Sequence, residues 1–281
     1  MKKIIITENL VKDFAEYLRM DEKSKNTIEK YVRDITAFKK FTNDRTISKE
    51  LALEFKKMLF TKGYAVRSIN SMIASLNSFF VYVGLEYIKI KTVKEQRQIF
   101  CSEKKELTRG EYNHLVIAAT NKGNRRLNLI IQTICGTGIR VSELEFITIE
   151  AAKKGEAIVY CKGKRRTVFI VRELQKKLMQ YAKEKGIKTG SVFITRSGRP
   201  VSRTNIWRDM KKLCKDAKVN QEKVFPHNLR HLFARVFYEL DKDIAKLADI
   251  LGHSNINTTR IYIISTGTEH RQRMENMRLV I

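Results

Sequence analysis

Apolar residues recur at helical spacing through the first ninety positions. A first helix is predicted over residues 8–19. Residues 24–42 place Ile28, Tyr31, Val32, Ile35 and Phe38 on one stripe, with Ser24 or Asn26 as the starting cap. Residues 48–62 open at Ser48 and bury Leu51, Leu53, Phe55 and Leu59 in some combination, while residues 68–83 carry Ile69, Ile73, Leu76, Phe80 and Val83 and stop at Gly84. These stripes predict a four-helix unit whose aromatic residues form its core. Between residues 89 and 106 (KIKTVKEQRQIFCSEKKE) the periodicity gives way to charge. The predicted organisation is therefore a helical domain over 1–90, a linker over 91–106 and a second domain over 107–281.

The second domain begins at a capping-box signature, Thr108 with Glu111. A helix over 125–135 follows and ends at Gly136. Two apolar, β-rich runs, 156–161 and 165–171, flank Lys162-Gly163-Lys164 and predict a hairpin. Helices recur at 173–185, 203–217, 228–239, 243–251 and 257–264. Trp207 lies in an amphipathic stretch and is expected in the core. Pro200 falls in a loop, and Pro226 sits immediately before a helix start. The fold class expected is mainly α with a small β-sheet (α+β).

Charge changes the picture. The formal net charge is +26. Lys and Arg outnumber Asp and Glu by 20 to 12 in residues 1–100 and by 36 to 18 in the remainder. Both domains are thus basic, which points to a polyanionic partner, although a ribosome-associated or merely lysine-rich protein shares that composition. A basic linker between two basic domains could let them close around a duplex. Cys101, Cys135, Cys161 and Cys214 are scattered, with no CxxC pair, so no metal site is expected. Such single thiols fit a reducing cytoplasm. The opening MKKIIITENL is too short in apolar run for a signal peptide, and no membrane span is expected.

Three segments carry candidate chemistry. In CGTGIRVSEL (135–144) two glycines break an apolar run before Arg140, and Glu143 follows one helical turn later. The pair could hold an anion or could be purely structural. In PHNLRH (226–231) His227 and Arg230 share a helix face near its N-terminus, where anions are favoured, while His231 points elsewhere as a structural residue. In LGHSNINTTRIY (251–262) His253 follows the helix-ending Gly252, and Tyr262 comes nine residues later. Taken singly, each has an ordinary packing explanation. Together, two arginines, two histidines, a glutamate, a hairpin lysine and a tyrosine suit attack on a phosphodiester. That reaction needs a nucleophile, cations for the charged transition state and a proton for the leaving oxygen. Arginine forks supply the cations without a metal.

The order GTGIRVSEL, a KG-containing hairpin, PHNLRH and LGHSNINTTRIY resembles the tyrosine recombinase (phage integrase) family, particularly its short Xer-like members. It spans most of residues 108–262, and the N-terminal unit looks like that family's core-binding domain. The resemblance implies that Tyr262 is the nucleophile, forming a 3′-phosphotyrosine and freeing a 5′-hydroxyl. It implies that Arg140 and Arg230 clamp the phosphate and that His227 and His253 assist. Glu143 would support Arg140, and Lys162 would protonate the leaving oxygen. Because the turn is one residue shorter than in related hairpins, Lys164 is the alternative. The implied partners are double-stranded DNA recombination sites and three further copies in a dimer of dimers, with or without a partner recombinase. Strand exchange would pass through a Holliday junction, with no cofactor. The outcome would be mobile-element integration or excision, or Xer-like resolution. No arm-binding domain is evident. The basic segment TEHRQRMENMRLVI, within the 19 residues after Tyr262, either docks on a neighbouring subunit or folds back. The rival readings are a type IB topoisomerase and a recombinase-derived regulator without activity.

Overall fold

The computed structural model describes residues 3–94, 106–161, 164–263 and 267–278. The chain divides into two compact units, Met1–Arg97 and Gln98–Ile281.

The first unit contains α1 (Glu8–Met20), α2 (Lys25–Thr42), α3 (Lys49–Thr61) and α4 (Val66–Tyr82). Each of the first three starts where a hydroxyl can take an orphan amide: Thr7 accepts from Leu10, Ser24 from Thr27 and Ser48 from Leu51. The caps turn apolar stripes inward onto five fully buried phenylalanines, Phe14, Phe38, Phe55, Phe79 and Phe80. Phe14 and Phe79 meet edge to face with ring centroids 5.2 Å apart. Leu53, expected among the candidates for burial, is instead 47% exposed. The inward face of α3 is Leu51, Ala52, Phe55 and Leu59, and Leu53 lies one step off that stripe. After α4 the chain remains strapped to it. Asn77 exchanges both amide hydrogen bonds with the Ile90 backbone, and Asn70 does the same with Val93. Residues 91–93 of the expected linker are therefore docked on α4, and residues 95–105 lie outside the described part.

The second unit opens with α5 (Arg109–Asn121), started by the capping box between Thr108 and Glu111. Helix α6 (Arg125–Thr137) is apolar on most sides and runs through the core, burying Leu127, Leu129, Ile130, Ile131 and Ile134. A short helix, α7 (Ile149–Lys154), was not expected; Thr148 caps it and Gly155 ends it. Strands β1 (Glu156–Cys161) and β2 (Lys164–Phe169) pair antiparallel, from Glu156 opposite Phe169 to Cys161 opposite Lys164. Residues 170 and 171, expected in the second strand, instead lead into α8 (Arg172–Glu184), with Val171 in its N-cap position. Then come α9 (Arg203–Ala217), α10 (Pro226–Asp241), α11 (Ile244–Leu251), α12 (Ile256–Arg260) and α13 (Gly267–Asn276). The architecture is mostly helical with one small sheet, as expected. Among the described residues, no helix is long and apolar enough to cross a membrane.

Phe79 and Leu53 make a contrasting pair. Phe79→Ala should cost about 3–5 kcal/mol of stability, because it leaves a cavity among packed rings. Leu53→Ala should stay within about 0.5–1 kcal/mol. Urea melts of the full chain, followed by circular dichroism, measure both, and equal losses would contradict this packing.

Candidate active site

The site begins where α6 stops. Gly138 has φ +64°, and a Cβ there would stand 2.5 Å from Phe233 of α10 and 3.1 Å from Leu251 of α11. Only glycine tolerates both that backbone and that approach. The turn delivers Arg140 to the head of a 3₁₀ turn, Val141–Phe146. Glu143, 2% exposed, receives the Arg140 backbone amide (2.9 Å) and Arg140 Nη1 (2.9 Å) on separate oxygens. Its Oε2 also accepts from Arg166 Nη2 of β2 at 2.6 Å. Burial pushes the Glu143 carboxyl up, but the Arg140 amide, the Arg166 charge and the Arg140 side chain outweigh it and hold the group below its ordinary value. Arg140 keeps 31% of its side chain exposed. Nη1 is tied to Glu143, Nη2 donates to the Gly252 carbonyl at 3.4 Å, and the guanidinium borders a cleft.

Arg166 was not anticipated. The hairpin register sets it opposite Val159, which is fully buried, so it occupies an inward position of the β alternation. A cation in an inward register of RRTVFI is the signal that could have found it, since a buried charge demands a partner. Arg166 Nη1 also donates to the Ile250 carbonyl at 3.0 Å. Its stem passes so close to Gly252 that a Cβ there would lie 2.3 Å from Arg166 Cδ. Lys162 and Gly163 lie outside the described residues, as does the side chain of Lys164.

Helix α10 starts with Pro226 and carries His227, Arg230 and His231. Arg230 is 1% exposed. It donates to the Gly138 carbonyl and, at 2.7 Å, to the Leu251 carbonyl, while Nη2 lies 3.1 Å from His253 Nε2. Its Nε is buried without a partner. Burial, then the Arg140 charge, lowers the Arg230 pKa to about 10, with Tyr262 opposing, so the group stays cationic at neutral pH. An arginine can only donate, so His253 Nε2 must accept, and the ring proton sits on Nδ1, 2.9 Å from Thr259 Oγ1 of α12. Burial, then Arg230 and the neighbouring cations, brings His253 down to about 4, consistent with that neutral tautomer. Burial and Arg230 also lower His227.

Tyr262, 5% exposed, closes the cluster. Its ring centroid is 5.4 Å from that of His227, 4.2 Å from His231 and 5.3 Å from His253. His231 was expected to point elsewhere; it stacks on Tyr262 at an interplanar angle of 27°. The expectation measured His231 against its neighbour Arg230. The relevant spacing is i,i+4 from His227, which puts both histidines on one ridge of α10, 5.3 Å apart. Burial, then His227, lowers His231 to about 4. The structure thus brings Arg140, Glu143, His227, Arg230, His253 and Tyr262 together.

Beside them opens a cleft of about 550 Å³, lined by Ile139–Ser142, Arg203, Thr204, Trp207, Phe225, Pro226, His227 and Arg230. Trp207 is 49% exposed, not in the core. The inward stripe of α9 is Ile206, Met210, Leu213, Cys214 and Ala217, and Trp207 falls just beyond it. Among the described residues, no group of three or more His, Cys, Asp or Glu side chains could hold a metal ion.

Comparison with known proteins follows the same division. The phage integrase family pattern matches residues 105–269, and that of the phage integrase N-terminal SAM-like domain matches residues 11–86. The tyrosine recombinase XerA of Pyrococcus horikoshii is 31% identical over 285 residues, covering 98% of this chain and 96% of the relative. XerA of Pyrococcus furiosus is 30% identical, covering 100% and 98%. A crystal structure of a lambda integrase(75-356) dimer bound to a COC′ core site superposes with a TM-score of 0.74 at 17% identity. It covers 93% of this chain and 96% of that one, a likeness of fold.

Two predictions follow from the charges. His231 and His253 sit far below their ordinary 6.5 when folded, so the unfolded chain binds more protons between about 6.5 and about 4. Stability should therefore fall as pH drops through that window, and His231→Phe should flatten the slope by about one proton. Denaturant melts across this range measure it, and an unchanged slope would refute the assignment. Arg166→Ala, which removes one of the two guanidinium partners of buried Glu143, should cost about 1–3 kcal/mol in the same melts, and Arg166→Lys less.

Proposed function

The chain belongs to the phage integrase family of tyrosine recombinases, and from that premise we propose that it is a site-specific recombinase that cuts and rejoins DNA through Tyr262. The observation that carries this reading is the convergence on one phenol ring. Helix α10 supplies His227 and Arg230 and the turn after α11 supplies His253 around Tyr262, with Arg140, far earlier in the sequence, on the adjoining cleft.

In this reading the scissile phosphodiester enters the cleft and its non-bridging oxygens meet Arg140 and Arg230. Arg230 Nε is a buried donor without a partner, which an incoming phosphate oxygen would satisfy. Arg140 is aimed by Glu143, itself fixed by Arg166. His227 completes the donor set around the pentacovalent phosphorus, while His253, accepting from Arg230 through Nε2, steadies that guanidinium. Tyr262 Oη attacks phosphorus, its phenol proton passing to a neutral histidine of the cluster, and the bond to the 5′-oxygen breaks. The DNA is left as a 3′-phosphotyrosine, and the 5′-oxygen takes a proton from Lys162, or from Lys164 if the short turn shifts the role by two residues. Attack by a 5′-hydroxyl from another strand reverses the chemistry, so bond energy is conserved and no nucleotide is consumed. The two copies on one site and two on its partner form the tetramer in which strands exchange through a Holliday junction, either alone or with a partner recombinase. Binding leans on phosphate contacts from a chain of charge +26 and weakens steeply with salt.

Covalent trapping tests this. With nicked duplexes carrying candidate sites, wild-type protein should give a protein–DNA band on denaturing gels, and Tyr262→Phe should give none while still binding. Arg140→Lys and Arg230→Lys should slow band formation by about 10²–10³-fold. A band that persists in Tyr262→Phe would falsify the assignment.

A further inference from the structure

The cleft is larger than the catalytic cluster requires. Arg140, His227 and Arg230 line one part of it, and the remainder runs along α9, past Arg203 and Thr204 to Trp207. Arg203 is exposed, and among the described residues no carboxylate lies within ion-pair distance of it. Its charge still reaches the reaction centre, because it is one of the cations that depress His227. Trp207 follows at i+4, on the same ridge of α9, roughly 6 Å further along the axis. Trp207 is about half exposed and lines the cleft, although the helix has a well-filled apolar stripe next to it. Lys211, another four residues on, sits 5.4 Å from the centre of the indole ring. The ridge therefore alternates cation, aromatic, cation, beginning at the edge of a phosphate-binding cluster.

That alternation matches a sugar-phosphate strand, in which charge and apolar surface also alternate. Resting on the recombinase reading above, we propose that Arg203 and Trp207 form a second subsite of the cleft. It takes the nucleotide flanking the scissile phosphate on the cleaved strand. Arg203 bonds the flanking phosphate, and Trp207 packs its indole face on the adjacent deoxyribose. The sugar is the partner because bases in an intact duplex keep their faces stacked on one another, whereas sugar C–H groups are open to a groove wall. The subsite holds the strand in register, so that the scissile phosphorus and not its neighbour stands before Tyr262.

Trp207 is the chain's single tryptophan, so its fluorescence reports on this subsite alone. The experiment pairs wild type, Arg203→Ala and Trp207→Ala with nicked duplexes bearing one neutral methylphosphonate. The neutral group is placed either at the flanking phosphate or several nucleotides away. Flanking neutralisation should slow Tyr262-linked cleavage by wild type about tenfold, the scale of one charge-assisted hydrogen bond. Arg203→Ala should show the same loss on ordinary DNA and no further loss on the flanking-neutral duplex. The distant methylphosphonate should affect both proteins alike. Trp207→Ala should raise the DNA concentration for half-maximal cleavage and blur the position of cleavage. DNA bound to Tyr262→Phe should shift the Trp207 emission. The proposal is overturned if Arg203→Ala still loses tenfold on the flanking-neutral duplex, or if the emission is unchanged on binding. Failure of the Tyr262 chemistry is read separately: no covalent band would form, while emission and methylphosphonate-dependent binding would still report on the subsite.

Discussion

A guanidinium with almost no access to solvent organises the catalytic unit. Arg230 can be buried only because carbonyl oxygens from two other segments meet it, at Gly138 and at Leu251. Both carbonyls belong to helix ends, where acceptors have no partner within their own helix. The ends of α6 and α11 therefore satisfy their orphan oxygens on the same side chain that needs them. Gly138 and Gly252 follow from this, since each helix must stop in the left-handed region and each turn lies against another side chain. The cost of burying the charge is met by geometry that fixes three distant segments relative to one another.

Glu143 is the complementary tie. It is the acidic group at which Arg140 and Arg166 meet, and so it links the turn after α6 to the hairpin. Arg166 then reaches Ile250, at the end of α11. The hairpin, the Arg140 turn and the His253 turn are thereby held in one network of charge-assisted bonds. A concentration of cations around neutral histidines results. His253 and His227 are held neutral in part by these arginines, which leaves Arg140, Arg166 and Arg230 outnumbering the Glu143 carboxylate, as suits an anion-binding site.

Much of this was legible in the sequence, where local chemistry decided the outcome. Ser24, Ser48 and the Thr108–Glu111 box act as caps because a cap is a property of four consecutive residues. The site motifs could be read because glycine breaks, helix spacing and residue type coincide. What escaped depended on neighbours distant in sequence. Arg166 acquires meaning only when the hairpin register turns it inward toward Glu143. His231 looked structural until α12 brought Tyr262 over it. Trp207 and Leu53 were misjudged because a helix stripe is narrow and its edge depends on what packs against it, a tertiary fact. Helix α7 escaped because six residues carry too little periodicity to recognise.

The proposed nucleophile and its cations rest on unequal foundations. Arg140 and Glu143 lie between Ile139, Leu144 and Ile147, which belong to the large core of the second unit. Tyr262 instead belongs to a small satellite cluster with Ala234, Leu247 and Leu251. Opening a few satellite contacts costs far less than disturbing a packed core. A phosphate-binding frame must be preorganised, because any rearrangement during reaction subtracts from transition-state stabilisation. A nucleophile has the opposite requirement: it must leave its covering rings to reach phosphorus and later carry a DNA end. With 5% exposure, the phenol stays covered by His227, His231 and His253 when no DNA is bound. Placing Arg140 on the main core and the tyrosine on its periphery meets both requirements within one domain.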